Sequence, residues 1–92
     1  MDNLLFVVED SFQIVGRGLA LMPNLPIDSI PNQKLGSLLQ IRLERPGGIT
    51  EVAKAVIHLE HFNPGGYKLI CYIQDTALDA ISPGTKVWLI ES

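Results

Sequence analysis

Cysteine is almost missing from this sequence of 92 residues: Cys71 is the only one, so no disulfide can form within the chain. It stands between Ile70 and Tyr72 with no cation or histidine adjacent, the setting of an inert core thiol rather than a nucleophile. No apolar run approaches the roughly 20 residues a membrane helix requires. The amino terminus has neither the basic start nor the cleavage-like site of a secretory leader. Together these absences predict a cytoplasmic protein without membrane contact. Basic residues are also few, seven against ten acidic ones for a formal charge of −3, and no run of Lys and Arg occurs. Bulk charge therefore disfavours nucleic acid as a partner, unless a local basic face overrides it.

Chemistry-bearing motifs are equally scarce. His58 and His61 are the only histidines, and three residues apart on a strand they point to opposite faces, which does not suit a shared metal. His58 and Glu60 share a face, as any solvated strand surface allows. There is no Gly-x-Ser-x-Gly elbow and no phosphate-binding Gly-x-x-x-x-Gly-Lys-Ser/Thr loop. Gly16-Arg17-Gly18 lacks the third glycine of a dinucleotide fingerprint, while Gly47-Gly48 and Gly65-Gly66 follow Arg-Pro and Asn-Pro, which is turn chemistry. The expectation is a chain without catalytic residues, metal or cofactor.

What is present is apolar residue at strand spacing. Apolar side chains make up 47% of the chain and charged ones 18%, a composition that folds. A single domain, 1–92, follows from the length. Leu4–Val8 is a dense apolar run, Glu9-Asp10-Ser11 interrupts it, and Phe12 and Ile14 resume it; a bend at Asp10-Ser11 lets one strand serve two neighbours. Gly16 and Gly18 frame a reversal into Leu19–Met22. Pro23–Lys34 reads as a loop, anchored by Leu25, Ile27 and Ile30, that either covers an open barrel end or binds a partner.

Leu38–Glu44 alternates cleanly, Leu39, Ile41 and Leu43 on one face. Thr50–Phe62 is the longest strand, with Ala53, Ala55, Ile57 and Leu59 inward and small residues suiting a tightly curved wall. Lys68–Gln74 returns, Ala77–Ile81 is long enough for one helical turn capped by Asp75 and Asp79, and Thr85–Ile90 closes the chain. The predicted fold is all-β: a six-stranded, closed Greek-key barrel with one short helical turn.

Several strands carry apolar residues on both faces. With Leu69, Cys71 and Ile73 inward, Ile70 and Tyr72 face out; with Val87 and Leu89 inward, Trp88 and Ile90 face out; Val56 and Phe62 join them from the long strand. These six residues form the candidate partner surface, covered either by the chain itself or by a protein partner, a homodimer being the simplest case.

The stretch Val8-Glu9-Asp10-Ser11-Phe12-Gln13-Ile14-Val15-Gly16-Arg17-Gly18 resembles the opening of the second domain of translational GTPases of the elongation factor Tu type, which carry Val-Glu-Asp-x-Phe-x-Ile-x-Gly-Arg-Gly. Glu9, Asp10, Phe12, Gly16, Arg17 and Gly18 hold this signature. Weaker likenesses follow at Lys34-Leu35-Gly36-Ser37, with Ser37 where Asp is usual, at Leu59-Glu60-His61-Phe62, and at Ile81–Val87. The resemblance implies a translation-protein barrel over nearly the whole chain, and translation-associated RNA or ribosome binding as a second functional reading. It carries neither GTP hydrolysis, since no GTPase domain is present, nor delivery of aminoacyl-tRNA. Leu19-Ala20-Leu21-Met22-Pro23 departs from the family's Thr-x-x-x-Thr-Gly-Arg, and Asn63-Pro64-Gly65-Gly66 lacks the acidic loop that helps form the acceptor-end pocket. A non-enzymatic, stand-alone module that binds a protein or itself is the leading expectation.

Overall fold

The computed structural model describes residues 3–74 and 81–90. Seven strands form one antiparallel sheet: β1 (Asn3–Val7), β2 (Asp10–Ile14), β3 (Gly18–Leu25), β4 (Leu38–Glu44), β5 (Thr50–Phe62), β6 (Gly66–Ile73) and β7 (Lys86–Leu89), in the spatial order β1-β7-β4-β5-β6-β3-β2. The count exceeds the expected six because the first apolar segment divides. The break falls at Val8-Glu9, two residues before the predicted bend. There Val8 donates its N–H to Thr85 and accepts from Gly84, while the next residue, Glu9, donates to Met22. Consecutive residues thus reach opposite ends of the strand order, β7's side and β3's side. β1 and β2 are the two edges of the sheet, and no ladder joins them, so the sheet is not closed by pairing.

Inward side chains from the strands meet in one cluster around Leu21, Ile41, Leu43, Ala55, Ile57, Leu69, Cys71 and Val87, all buried. A single sheet whose strands feed one cluster must curl around it, since no second layer covers its apolar face among the described residues. Ala53 and Ala55 sit on that inner wall, where their small side chains let β4 and β6 approach the core from both sides. The alternation of β4 places Ile41 and Leu43 in the cluster and packs Leu39 against it, as expected.

Leu59 differs from expectation and is exposed. β4 ends at the pair Leu38↔Val56, so β5 beyond residue 57 runs past that neighbour and is paired with β6 alone, which leaves Leu59 open although its partner Leu69 is buried. β3 also runs longer than predicted, through Pro23 to Leu25; the proline lacks an N–H, and the ladder with β6 is irregular between Leu21 and Leu25. The loop therefore starts at Pro26. It contains a short 3-10 turn at Asn32–Lys34; of the three expected anchors, Leu25 is buried at the end of β3, Ile30 is buried within the loop, and Ile27 stays exposed. The predicted helical turn at Ala77–Ile81 falls chiefly on 75–80, outside the described residues. Ile81 itself is buried and is tied to β2, where Ser11 Oγ accepts its N–H at 3.0 Å.

The Gly16-Arg17-Gly18 reversal forms as expected, with Arg17 donating its N–H to Ile14 at 3.0 Å. Both glycines have positive φ, +82° and +113°. At Gly18 the constraint is also spatial: a Cβ there would lie 2.4 Å from the carbonyl oxygen of Ile73.

Candidate functional site

Cross-strand partners lie on the same face of a sheet, so the pairing register sorts the outward side chains into rows. One row crosses five strands as Leu38, Val56, Tyr72, Ala20 and Phe12. A second crosses four as Leu4, Trp88, Arg42 and Val52. The six candidate surface residues consequently divide. Val56, Phe62, Ile70 and Tyr72 belong to the outer side of β5 and β6; Trp88 and Ile90 lie two strands away, separated by the polar outer side of β4.

Within the first group, the chain covers its own apolar surface. Ala20, Ile70 and Tyr72 are buried in a small outer cluster, over which Ile14, Met22 and Phe62 pack. Tyr72 is 1% exposed, although it points away from the main core. Its phenol O–H donates to Glu60 Oε2 at 2.9 Å, and the Arg17 guanidinium lies over its ring, 5.7 Å from the centroid. Arg17 also pairs with Glu60 at 3.5 Å, and the His58 and Tyr72 rings meet in a T-shaped contact with centroids 5.7 Å apart. Burial pushes the Tyr72 phenol up to about 12; the bond to Glu60 and its negative charge add to the shift, and Arg17 opposes it. Arg17 of the glycine-framed signature thus has a local task, clamping the outer cluster. The other signature residues lie along the same segment, Glu9 at the break between edges, Asp10 and Phe12 on β2. Asp10 accepts the N–H of Ser11 at 2.8 Å.

Trp88 is half-buried. Its indole N–H donates to Glu44 Oε1 at 3.1 Å, and Arg42 stacks over its ring at 5.1 Å. In its row Val52 is 59% exposed and Leu4 nearly half; in the other row Leu38 is 60% exposed and Phe12 nearly half. Val52 is visible in the sequence as an outward residue of the long strand. Leu38 is outward by the same alternation, on the face of Gln40, Arg42 and Glu44; that both stay exposed is what alternation does not show. Lys54 and Lys86 flank the Trp88 row through the pairs Gln40↔Lys54 and Glu44↔Lys86. Dispersed in sequence, Arg42, Lys54 and Lys86 make no basic run, and only the register gathers them.

Cys71 is fully inside the main core, and burial pushes its thiol up to about 12, which suits a packing role. An open depression of about 340 Å³ lies beside the reversal, lined by Gln13–Gly18 and Gln74. The Gln74 amide is committed there, donating to the carbonyls of Arg17 at 2.8 Å and Tyr72 at 3.3 Å. Among the described residues no group of three His, Cys, Asp or Glu side chains stands close enough to hold a metal, and no helix is long and apolar enough to cross a membrane. Compared with family models, curated proteins and solved structures, the chain matches none.

Proposed function

We propose that this chain is a non-enzymatic binding module, a Greek-key barrel of the translation-factor type that engages a protein partner or a second copy of itself. In this reading residues 3–14 are the seam of the barrel, one segment bonded to both ends of the strand order. The long β3–β4 connection is the crossover that returns β3 beside β6. The signature from Val8 to Gly18 and its reversal support the family assignment.

The observation that carries the binding role is the apolar outer side that intrachain packing leaves uncovered. Leu38 lies more than half exposed across from the half-buried Val56, and Val52 lies more than half exposed in one row with Arg42 and the half-buried Trp88. Exposed apolar side chains are ordinary when scattered, but several gathered on one face of neighbouring strands mark a contact surface. The test is sedimentation over a range of concentrations, alone and with co-purified proteins, for the native chain and for the double variant Leu38→Glu/Val52→Glu. Both positions are exposed, so the variant should retain native circular dichroism and melting behaviour. Loss of self-association or of a bound protein in the variant is the expected result. A native chain that stays monomeric, with its bound proteins unchanged by the substitutions, would overturn the proposal.

A further inference from the structure

We infer that the outer side of β7, β4 and β5 docks an acidic, partly apolar peptide segment of a partner protein, an assignment that rests on the binding function proposed above and adds the partner's chemistry. Three of the chain's seven basic residues, Arg42, Lys54 and Lys86, project from this face. Among the described residues its carboxylates are Glu44, which is engaged by the Trp88 indole, and, further along β5, Glu60, which is engaged by Tyr72 and Arg17. Among the described residues three cations thus face two engaged carboxylates, on a chain whose formal charge is −3. Among the described residues neither Lys54 nor Lys86 has a carboxylate within salt-bridge distance. Lys54, between exposed Val52 and Leu38, and Lys86, across the strip on β7, match a segment that alternates carboxylates with apolar side chains. Three strands at the usual spacing make a strip about 10 Å wide, the width of one extended peptide with its side chains.

The other occupants fit less well. A nucleic-acid strand would need an open aromatic face on which to stack, but Arg42 already lies over the Trp88 ring and Glu44 holds its N–H. A second copy placed face to face would set the same cations against one another.

Trp88 is the only tryptophan, so its fluorescence reports directly on this face. The isotope-labelled full chain would be titrated with a synthetic peptide of alternating Glu and Leu, with the same peptide carrying Lys for Glu, and with single-stranded polyuridylate. The acidic peptide is expected to shift Trp88 emission and the amide signals of β4, β5 and β7, and to weaken as salt is raised. Lys54→Glu/Lys86→Glu should bind it about tenfold less tightly or worse, with circular dichroism unchanged. The lysine peptide should not bind. Equal binding by this variant, shifts centred elsewhere, tighter binding of polyuridylate, or self-association that the variant abolishes would each overturn the inference. The two failures are distinguishable: if Leu38→Glu/Val52→Glu removes association while Lys54→Glu/Lys86→Glu does not, the binding function stands and the acidic partner falls.

Discussion

Gly16 and Gly18 look equivalent in the sequence, two glycines framing one arginine. Space separates them. Gly16 has open surroundings and needs glycine only for its positive φ, whereas Gly18 has positive φ and also abuts the carbonyl oxygen of Ile73 at the end of β6. Gly16→Ala should cost about 1 kcal/mol, the ordinary penalty of left-handed backbone for an L residue. Gly18→Ala should cost about 3 kcal/mol or more, because backbone strain and a backbone clash add. Urea unfolding of the two variants at equal m-value checks the difference; equal costs would remove the close approach as the reason for Gly18. The reversal itself is legible from glycine spacing, but the clash is not, since it depends on a residue brought in by the β3–β6 ladder. Tyr72 makes the same point for burial. Alternation correctly turns it away from the main core, yet a strand pattern cannot show that Ile14, Met22 and Phe62 fold over that outer side.

Among the elements, β4 and β5 are the most legible, with the ends at Leu38, Glu44, Thr50 and Phe62 all foreseeable from alternation and from the intervening Arg45-Pro46-Gly47-Gly48 turn. That turn is closed by Gly48 N–H donating to Arg45 and by the ion pair of Arg45 with Glu51. Elements that deviate do so where a neighbour is missing or irregular: β5 outruns β4 and exposes Leu59, and β3 carries Pro23 through an irregular ladder. The divided first segment is the least legible element, because the polar run Glu9-Asp10-Ser11 announces a break without saying which residue turns. Ser11 then fastens the far side of the break, its hydroxyl accepting the N–H of Ile81 and donating to the Ile81 carbonyl at 3.3 Å. Ser11→Ala should destabilise the chain by about 1–2 kcal/mol, since it strips a partly buried N–H of its acceptor. It should also speed hydrogen exchange at Ile81 more than at β5. Unchanged exchange there would mean the bond contributes nothing in solution.

At the level of the whole molecule, sequence pattern suffices for an all-β chain organised around one core, because both properties follow from local alternation and short turns. Strand order does not follow from it. The distribution of charge shows the same limit, for the bulk value is acidic whereas the register brings Arg42, Lys54 and Lys86 onto one face. The strand order has a further consequence, for the route by which the chain reaches this state. β4, β5 and β6 are joined by short turns and need close only small loops, whereas Asn3 finds Leu89 as its partner only after nearly the whole chain has been placed. Loop-closure entropy and high contact order make that last pairing slow. In pulse-labelled exchange during refolding, amides of the β5–β6 ladder should gain protection before those of β1. Simultaneous protection would point to a single concerted step. With β1 arriving last, the first apolar run, Leu4 to Val8, is the part of the nascent fold that stays open longest to competing strands.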